Sequence, residues 1–82
     1  MEQIARTTKQ LGVAIRRRRR NTNMSQTELG SKTNLRQATI SALESGEERT
    51  QLHTLMDVIS ALGLEIVIRE RTKTNQRIED IF

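Results

Sequence analysis

Between Ser25 and Gly46 the chain carries two short apolar-periodic segments with only Thr33-Asn34-Leu35 between them. A connection that short permits few ways of packing one helix on the next. The first segment opens on Ser25-Gln26-Thr27-Glu28, the S-x-x-E spacing in which the serine hydroxyl and the glutamate carboxylate each take a backbone N–H at the helix start. Met24 precedes it, placed to staple against the first turn. A helix over about 26–32 follows, with Leu29 as its inward residue. Asn34 then breaks it, because Asn substitutes best for Gly where the backbone must turn left-handed. The second segment, about 36–44, spaces Ile40 and Leu43 i,i+3 on one face, and Ser45-Gly46 is its stop.

The flanking chain supplies further elements. From Thr8 to Arg20, Leu11 and Ile15 lie i,i+4 with Ala14 beside them, which reads as a helix with a narrow apolar stripe. Its last turn, Arg16 to Arg20, is cationic and suits the C-terminal end of the helix dipole, and Asn21 to Asn23 form a polar stop. After an acidic loop at Glu47-Glu48, Thr50 is placed as the N-cap of a fourth helix, about 51–62. Its expected inward stripe is Leu52, Leu55, Met56, Ile59 and Leu62, closed by Gly63. The period then changes to two: Leu64, Ile66 and Ile68 alternate against Glu65, Val67 and Arg69, a strand signature. A fifth helix over 61–70 is the alternative, opposed by Gly63 and the Ile-Val-Ile run. A lone strand has nothing to pair with, so the economical partner is the same strand of a second copy, antiparallel across a two-fold axis. Residues 1–7 read as an N-terminal extension, 8–70 as the domain, and 71–82 as a flexible tail.

Composition supports a shared core and limits the chemistry. About 28 of 82 residues are apolar, and a chain this short buries only about 60% of the surface its unfolded form exposes. No Cys is present to staple it, and one His leaves no cluster to hold a metal. His53 lies off the apolar stripe and reads as a surface residue. No carboxylate pair, Ser-His arrangement or Gly-rich phosphate loop accompanies the Ser and Lys residues, so the chain is not expected to be an enzyme, and no cofactor or small-molecule ligand is expected. Charge is lopsided: residues 1–41 carry nine Lys/Arg against two Glu, net +7, and residues 42–82 five against eight acids, net −3. A basic half points to a polyanion. Membrane binding is disfavoured, since the first helix needs its apolar stripe for the core and has no Trp or Phe anchor. No long apolar run or leader is seen, which points to a cytoplasmic protein.

Two short helices joined in this way form a helix-turn-helix arrangement, in which the second helix enters the DNA major groove. With Ile40 and Leu43 inward, Ala38, Ser41, Ala42 and Ser45 face out and Gln37 sits at the edge of the first turn. Arg36 and Gln37 are long hydrogen-bonders that would reach base edges first: Arg matches guanine O6/N7, Gln matches adenine N6/N7, and an Ala methyl meets the thymine methyl. Of the Arg run, one or two members are expected on phosphate, Arg17 and Arg20.

The stretches Met24-Ser-Gln-Thr-Glu-Leu-Gly and Leu35-Arg-Gln-Ala-Thr-Ile-Ser-Ala-Leu-Glu-Ser-Gly46 resemble the Cro/C1-type (XRE) helix-turn-helix family. The R-Q-A-T-I-S run, the Leu-rich fourth helix and the strand after A-L-G-L-E-I are similar to HipB-type antitoxins of kinase toxin–antitoxin pairs. Over residues 8–70 this resemblance implies an all-α, lambda-repressor-like domain of four to five helices, with a C-terminal strand (Leu64, Ile66, Val67, Ile68) paired across a homodimer. It implies a repressor that binds a palindromic operator in its own promoter and captures a HipA-like Ser/Thr kinase toxin. It also implies base readout by Arg36, Gln37, Ala38 and Ser41, phosphate contacts by Gln26 and Thr39, and a structural pair between Arg19 and Glu44. Three departures from the family pattern, Gly30 for Ala and Asn23 and Asn34 for Gly, are expected to cost stability. A stand-alone repressor without a toxin and a protein-docking adaptor remain alternative readings.

Overall fold

The computed structural model describes residues 2–71. Four helices follow in order, α1 (Thr8–Asn21), α2 (Gln26–Thr33), α3 (Gln37–Glu44) and α4 (Leu52–Ala61). All four end through a left-handed residue: Asn23 (φ 59°), Asn34 (φ 60°), Gly46 (φ 92°) and Gly63 (φ 68°) follow them in turn. At the end of α4 the Leu64 N–H bonds the Ile59 carbonyl and the Gly63 N–H bonds the Ser60 carbonyl, both at 3.0 Å. That pairing serves carbonyls the helix would otherwise leave open. The end of α3 repeats it with Glu47 on Ala42 and Gly46 on Leu43. Asn therefore does at the first two helix ends what Gly does at the last two.

The helix starts differ more. Thr7 caps α1, its hydroxyl accepting from the Gln10 N–H at 3.0 Å, while the Gln10 side chain accepts from the Arg6 N–H at 2.7 Å. Thr7, the last residue of the expected N-terminal extension, is therefore the N-cap of α1. At α2 the capping box is complete, with the Ser25 hydroxyl on the Glu28 N–H and the Glu28 carboxylate on the Ser25 N–H. Hydrogen bonding by Ser25, its backbone N–H first and its side chain second, holds the pKa of the exposed Glu28 below the ordinary carboxylate value. Arg36 is the N-cap of α3 and not its first helical residue, and Gln51 replaces the expected Thr50 as the N-cap of α4; neither makes a side-chain capping bond.

Ile15 of α1, Leu29 of α2, Ile40 and Leu43 of α3, and Val58 and Ile59 of α4 form the core with Leu62. Leu11, Met24, Leu35, Leu55 and Leu64 pack around it. Two close approaches depend on glycine. A Cβ on Gly12 would stand 2.5 Å from the Glu44 carbonyl oxygen, so α1 can lie on the end of α3 only without a side chain there. A Cβ on Gly30 would stand 2.6 Å from the Leu35 carbonyl oxygen. The turn of this chain requires glycine at 30, which overturns the expectation that it merely costs stability.

In the C-terminal half the expected inward face of α4 is corrected, and the expected strand does not form within one chain. Leu52 (72% exposed) and Met56 (44%) lie outside the core, while Thr54 and Val58 lie inside it. The inward face of α4 is turned by somewhat less than one residue's step of about 100°, and Leu55, Ile59 and Leu62 stay on it. Thr54 is accommodated without an unsatisfied buried side-chain atom among the described residues. Residues 64–71 form no strand within the described single chain, because no other segment offers a ladder for their N–H and C=O groups. Ile66, Val67 and Ile68 are left exposed, Ile68 at 94%. Arg69 bonds Glu2 at 3.2 Å and ties this segment to the N-terminal residues. From residue 72 onward, the expected tail lies outside the described residues.

Candidate nucleic-acid interface

The turn between α2 and α3 fixes how the two helices present their first residues. Asn34 in the left-handed region and the Leu35 N–H on the Gly30 carbonyl at 2.8 Å close α2 and launch the chain into α3. Gln26, first in α2, and Gln37, first in α3, then meet: the Gln37 amide nitrogen donates to the Gln26 amide oxygen. The Gln26 amide nitrogen in turn donates to Glu44 Oε1 at 3.1 Å.

Glu44 ends α3 and is buried with Arg19. Arg19 grips it with two parallel bonds, Nε to Oε2 at 2.6 Å and Nη2 to Oε1 at 3.0 Å, and gives Nη1 to the Met24 carbonyl at 2.7 Å. A fork-to-fork pair of this kind fixes both geometry and charge. Burial alone would raise the Glu44 pKa. The hydrogen bonds from Arg19 and Gln26, with the charges of Arg19 and Arg16, outweigh it and hold the carboxyl below its ordinary value. On the other side of the pair, the bond to Glu44 raises Arg19 above the ordinary guanidinium value against the opposing effect of burial.

The Arg run divides by position. Arg19 holds Glu44, and Arg18 donates its Nε to the Leu62 carbonyl at 2.9 Å, so a second member of the run supports the fold by closing the end of α4. Spacing along α1 does not single out Arg18, whose role depends on how closely its side chain approaches the end of α4. Arg16, Arg17 and Arg20 remain exposed. On α3, Gln37 and Ala38 are exposed, whereas Thr39, Ser41 and Ala42 are half-buried. The outward face is therefore narrower than helical spacing suggests, and it is concentrated on the first turn beside exposed Arg36. Gln26 is half-buried with both ends of its amide engaged, which leaves the backbone N–H groups of the α2 start as its means of meeting an anion.

Elsewhere the surface offers less chemistry. His53 is exposed, near Gln51 and Asp57. Among the described residues no group of His, Cys, Asp or Glu is arranged to hold a metal, and no helix is long and apolar enough to cross a membrane.

A family model described as "Helix-turn-helix" matches residues 15–68, from the middle of α1 through the segment after α4. The chain belongs to the helix-turn-helix family, in its XRE-type branch. A search of curated proteins finds no match. Solved structures give close matches. A HipB variant in an "O2 20mer complex" shares 28% identity at a TM-score of 0.81, covering 88% of this chain and 100% of that one. HipB in an "O4 20mer complex" shares 28% at 0.80, covering 87% and 100%. A chain of the "HipA-HipB-O2-O3 complex" shares 28% at 0.79, with the same coverage. The helix-turn-helix unit of this chain is the Gln26-to-Glu44 segment described above.

Proposed function

We propose that this chain is a sequence-specific DNA-binding repressor that acts as a homodimer and as the antitoxin of a toxin–antitoxin operon. The observation that carries the reading is the start of α3. Gln37 stands exposed at its first position, oriented through Gln26 by the buried Arg19–Glu44 pair, and a small side chain, Ala38, stands beside it. Long polar groups held rigidly at the tip of a helix, with little bulk around them, suit base edges in a major groove. Arg36, Gln37, Ala38 and Ser41 are the residues assigned to bases. Thr39, Arg17, Arg20 and the N-terminus of α2 at Gln26 are assigned to phosphates, which favour free N–H groups at a helix start.

Dimerisation uses residues 64–68. Ile66, Val67 and Ile68 are exposed apolar residues in a segment without a ladder, and the same segment of a second copy would supply one across a two-fold axis. Two α3 helices then face successive major grooves with half-sites one turn, about 34 Å, apart. HipB complexes with named 20mers support this reading, since a duplex of that length spans about two turns. The HipA-HipB complex supports a HipA-like kinase as the protein partner. Leu52 and Met56, exposed on α4, favour a protein partner for that side of the molecule.

Selection from a random duplex library tests the reading. It should return a palindrome, and Gln37→Ala should relax selection at one position per half-site at a cost of about 1 to 3 kcal/mol. Recovery of no preferred sequence, with retained capture of a kinase encoded beside the gene, would favour the adaptor reading instead. Capture of no such kinase would leave a stand-alone repressor.

A further inference from the structure

We propose that Arg18 sets which separation of half-sites the dimer accepts, by fixing the direction in which the chain leaves α4. The inference rests on the dimeric DNA-binding reading and adds to it a positioning residue outside the base-reading set and outside the proposed dimer segment. Arg18 and Arg19 are neighbours near the end of α1 and reach in different directions. Arg19 holds Glu44 at the end of α3. Arg18 donates its Nε to the Leu62 carbonyl at 2.9 Å, at the end of α4. A cation on a C-terminal carbonyl meets the negative end of the helix dipole, and its charge strengthens the hydrogen bond. One turn of α1 is thereby bonded both to the helix assigned to bases and to the root of the segment assigned to the dimer.

The Leu62 carbonyl belongs to the peptide that leads into Gly63. Gly63 is left-handed at φ 68°, and glycine is the residue whose backbone has most freedom to leave such a conformation unless neighbours hold it. A Cβ on Gly63 would stand 3.4 Å from Arg18 Nη2, so the guanidinium lies along this turn as well as on its carbonyl. The Leu64 N–H on the Ile59 carbonyl completes the turn, and beyond it Ile66, Val67 and Ile68 are exposed. A small rotation of the Leu62–Gly63 peptide swings every residue that follows. In a two-fold dimer the swing is applied once in each copy, so the separation of the two α3 helices follows the exit angle. DNA is strict about that separation: one inserted base pair moves a half-site by about 3.4 Å along the axis and about 35° around it. An exit held by Arg18 fits one separation, and a loose exit follows several.

The test uses the full chain and duplexes in which the two selected half-sites stand at their selected separation or one or two base pairs nearer or farther. The wild-type protein should prefer the selected separation over a one-base-pair change by on the order of tenfold or more. Arg18→Met keeps the stem of this half-buried residue and removes the donor. It should bring that ratio toward one and leave the base preferences inside each half-site unchanged. Arg18→Gln places an amide N–H the same number of bonds from Cα as the Arg Nε, without the charge, and should retain the preference. A residue serving only stability, or only a phosphate contact, would weaken every separation alike and leave the ratio intact. An unchanged ratio in Arg18→Met overturns the assignment, as does a wild-type protein indifferent to separation. Loss of the preference in Arg18→Gln overturns the hydrogen bond as its cause, and this arm stands even where Arg18→Met does not fold. If the wild-type chain selects no sequence, or scatters light as a monomer on single half-sites, the dimeric DNA-binding reading itself fails and the inference falls with it. Either result is distinct from a selective dimer whose spacing ignores Arg18.

Discussion

Arg19 and Glu44 are buried ions whose removal from water is costly, and such a pair holds only when both partners are present and their hydrogen bonds are filled. Here Arg19 serves Glu44 and the Met24 carbonyl, and Glu44 serves Arg19 and Gln26. Removing one partner leaves the other buried and uncompensated, so Glu44→Gln should destabilise the chain by about 3 kcal/mol in chemical unfolding. The pair also makes stability depend on pH. The Glu44 pKa is lower in the folded chain than in the unfolded one, so its contribution is complete above the unfolded value, about 4.3. It is lost as pH falls through the lower folded value. Melting temperature should be level from about pH 6 to 5 and fall below about pH 4. In Glu44→Gln the fall should be shallower, with a remainder from Glu28 and Glu47, whose pKa values are also held down. An equally steep fall in that variant would show that other groups carry the acid sensitivity.

At the scale of elements, short-range chemistry wrote the helices and close approach decided where they could pack. The capping box at Ser25, the left-handed Asn residues and the glycine stops are local signals, and each marks a helix end close to where the structure has it. Thr7-x-x-Gln10 is a signal of the same type one step earlier, and it puts residue 7 into the fold. Less legible was the rotation of α4. Leu52 and Met56 extend a sound apolar stripe, but the single chain has room only for the arc through Thr54, Val58 and Ile59. Periodicity records which faces are apolar and not which of them this chain can cover. In the site, Gln37 and Glu44 could be placed from spacing and family resemblance, whereas the Gln26 link and the Arg18 bond to Leu62 depend on side-chain approach that no spacing encodes. Gly12 offers a direct check on packing. Alanine is favoured over glycine in a helix by about 1 kcal/mol, yet a Cβ there meets the backbone of Leu43 and Glu44. Gly12→Ala should therefore lower stability, by at least about 1 kcal/mol, and a rise in melting temperature would contradict the α1–α3 contact.

Taken whole, the molecule separates a basic front half from an acidic back half, +7 against −3. The helix-turn-helix falls mainly in the first, and the exposed Leu52, Met56 and Ile66 to Ile68 fall in the second. On the proposed reading one end meets DNA and the other meets protein. Val67→Pro removes one amide donor from a ladder between copies and should shift the mass measured by light scattering from two chains toward one, with the helical circular dichroism of each chain retained. An unchanged mass would remove residues 64–68 from the dimer. Whether this chain reads DNA sequence is tested most directly by titrating the selected duplex and a shuffled duplex of the same composition at one salt concentration. Two chains should bind the selected duplex at least about a thousandfold more tightly than the shuffled one. Equal affinity for the two duplexes would contradict sequence readout.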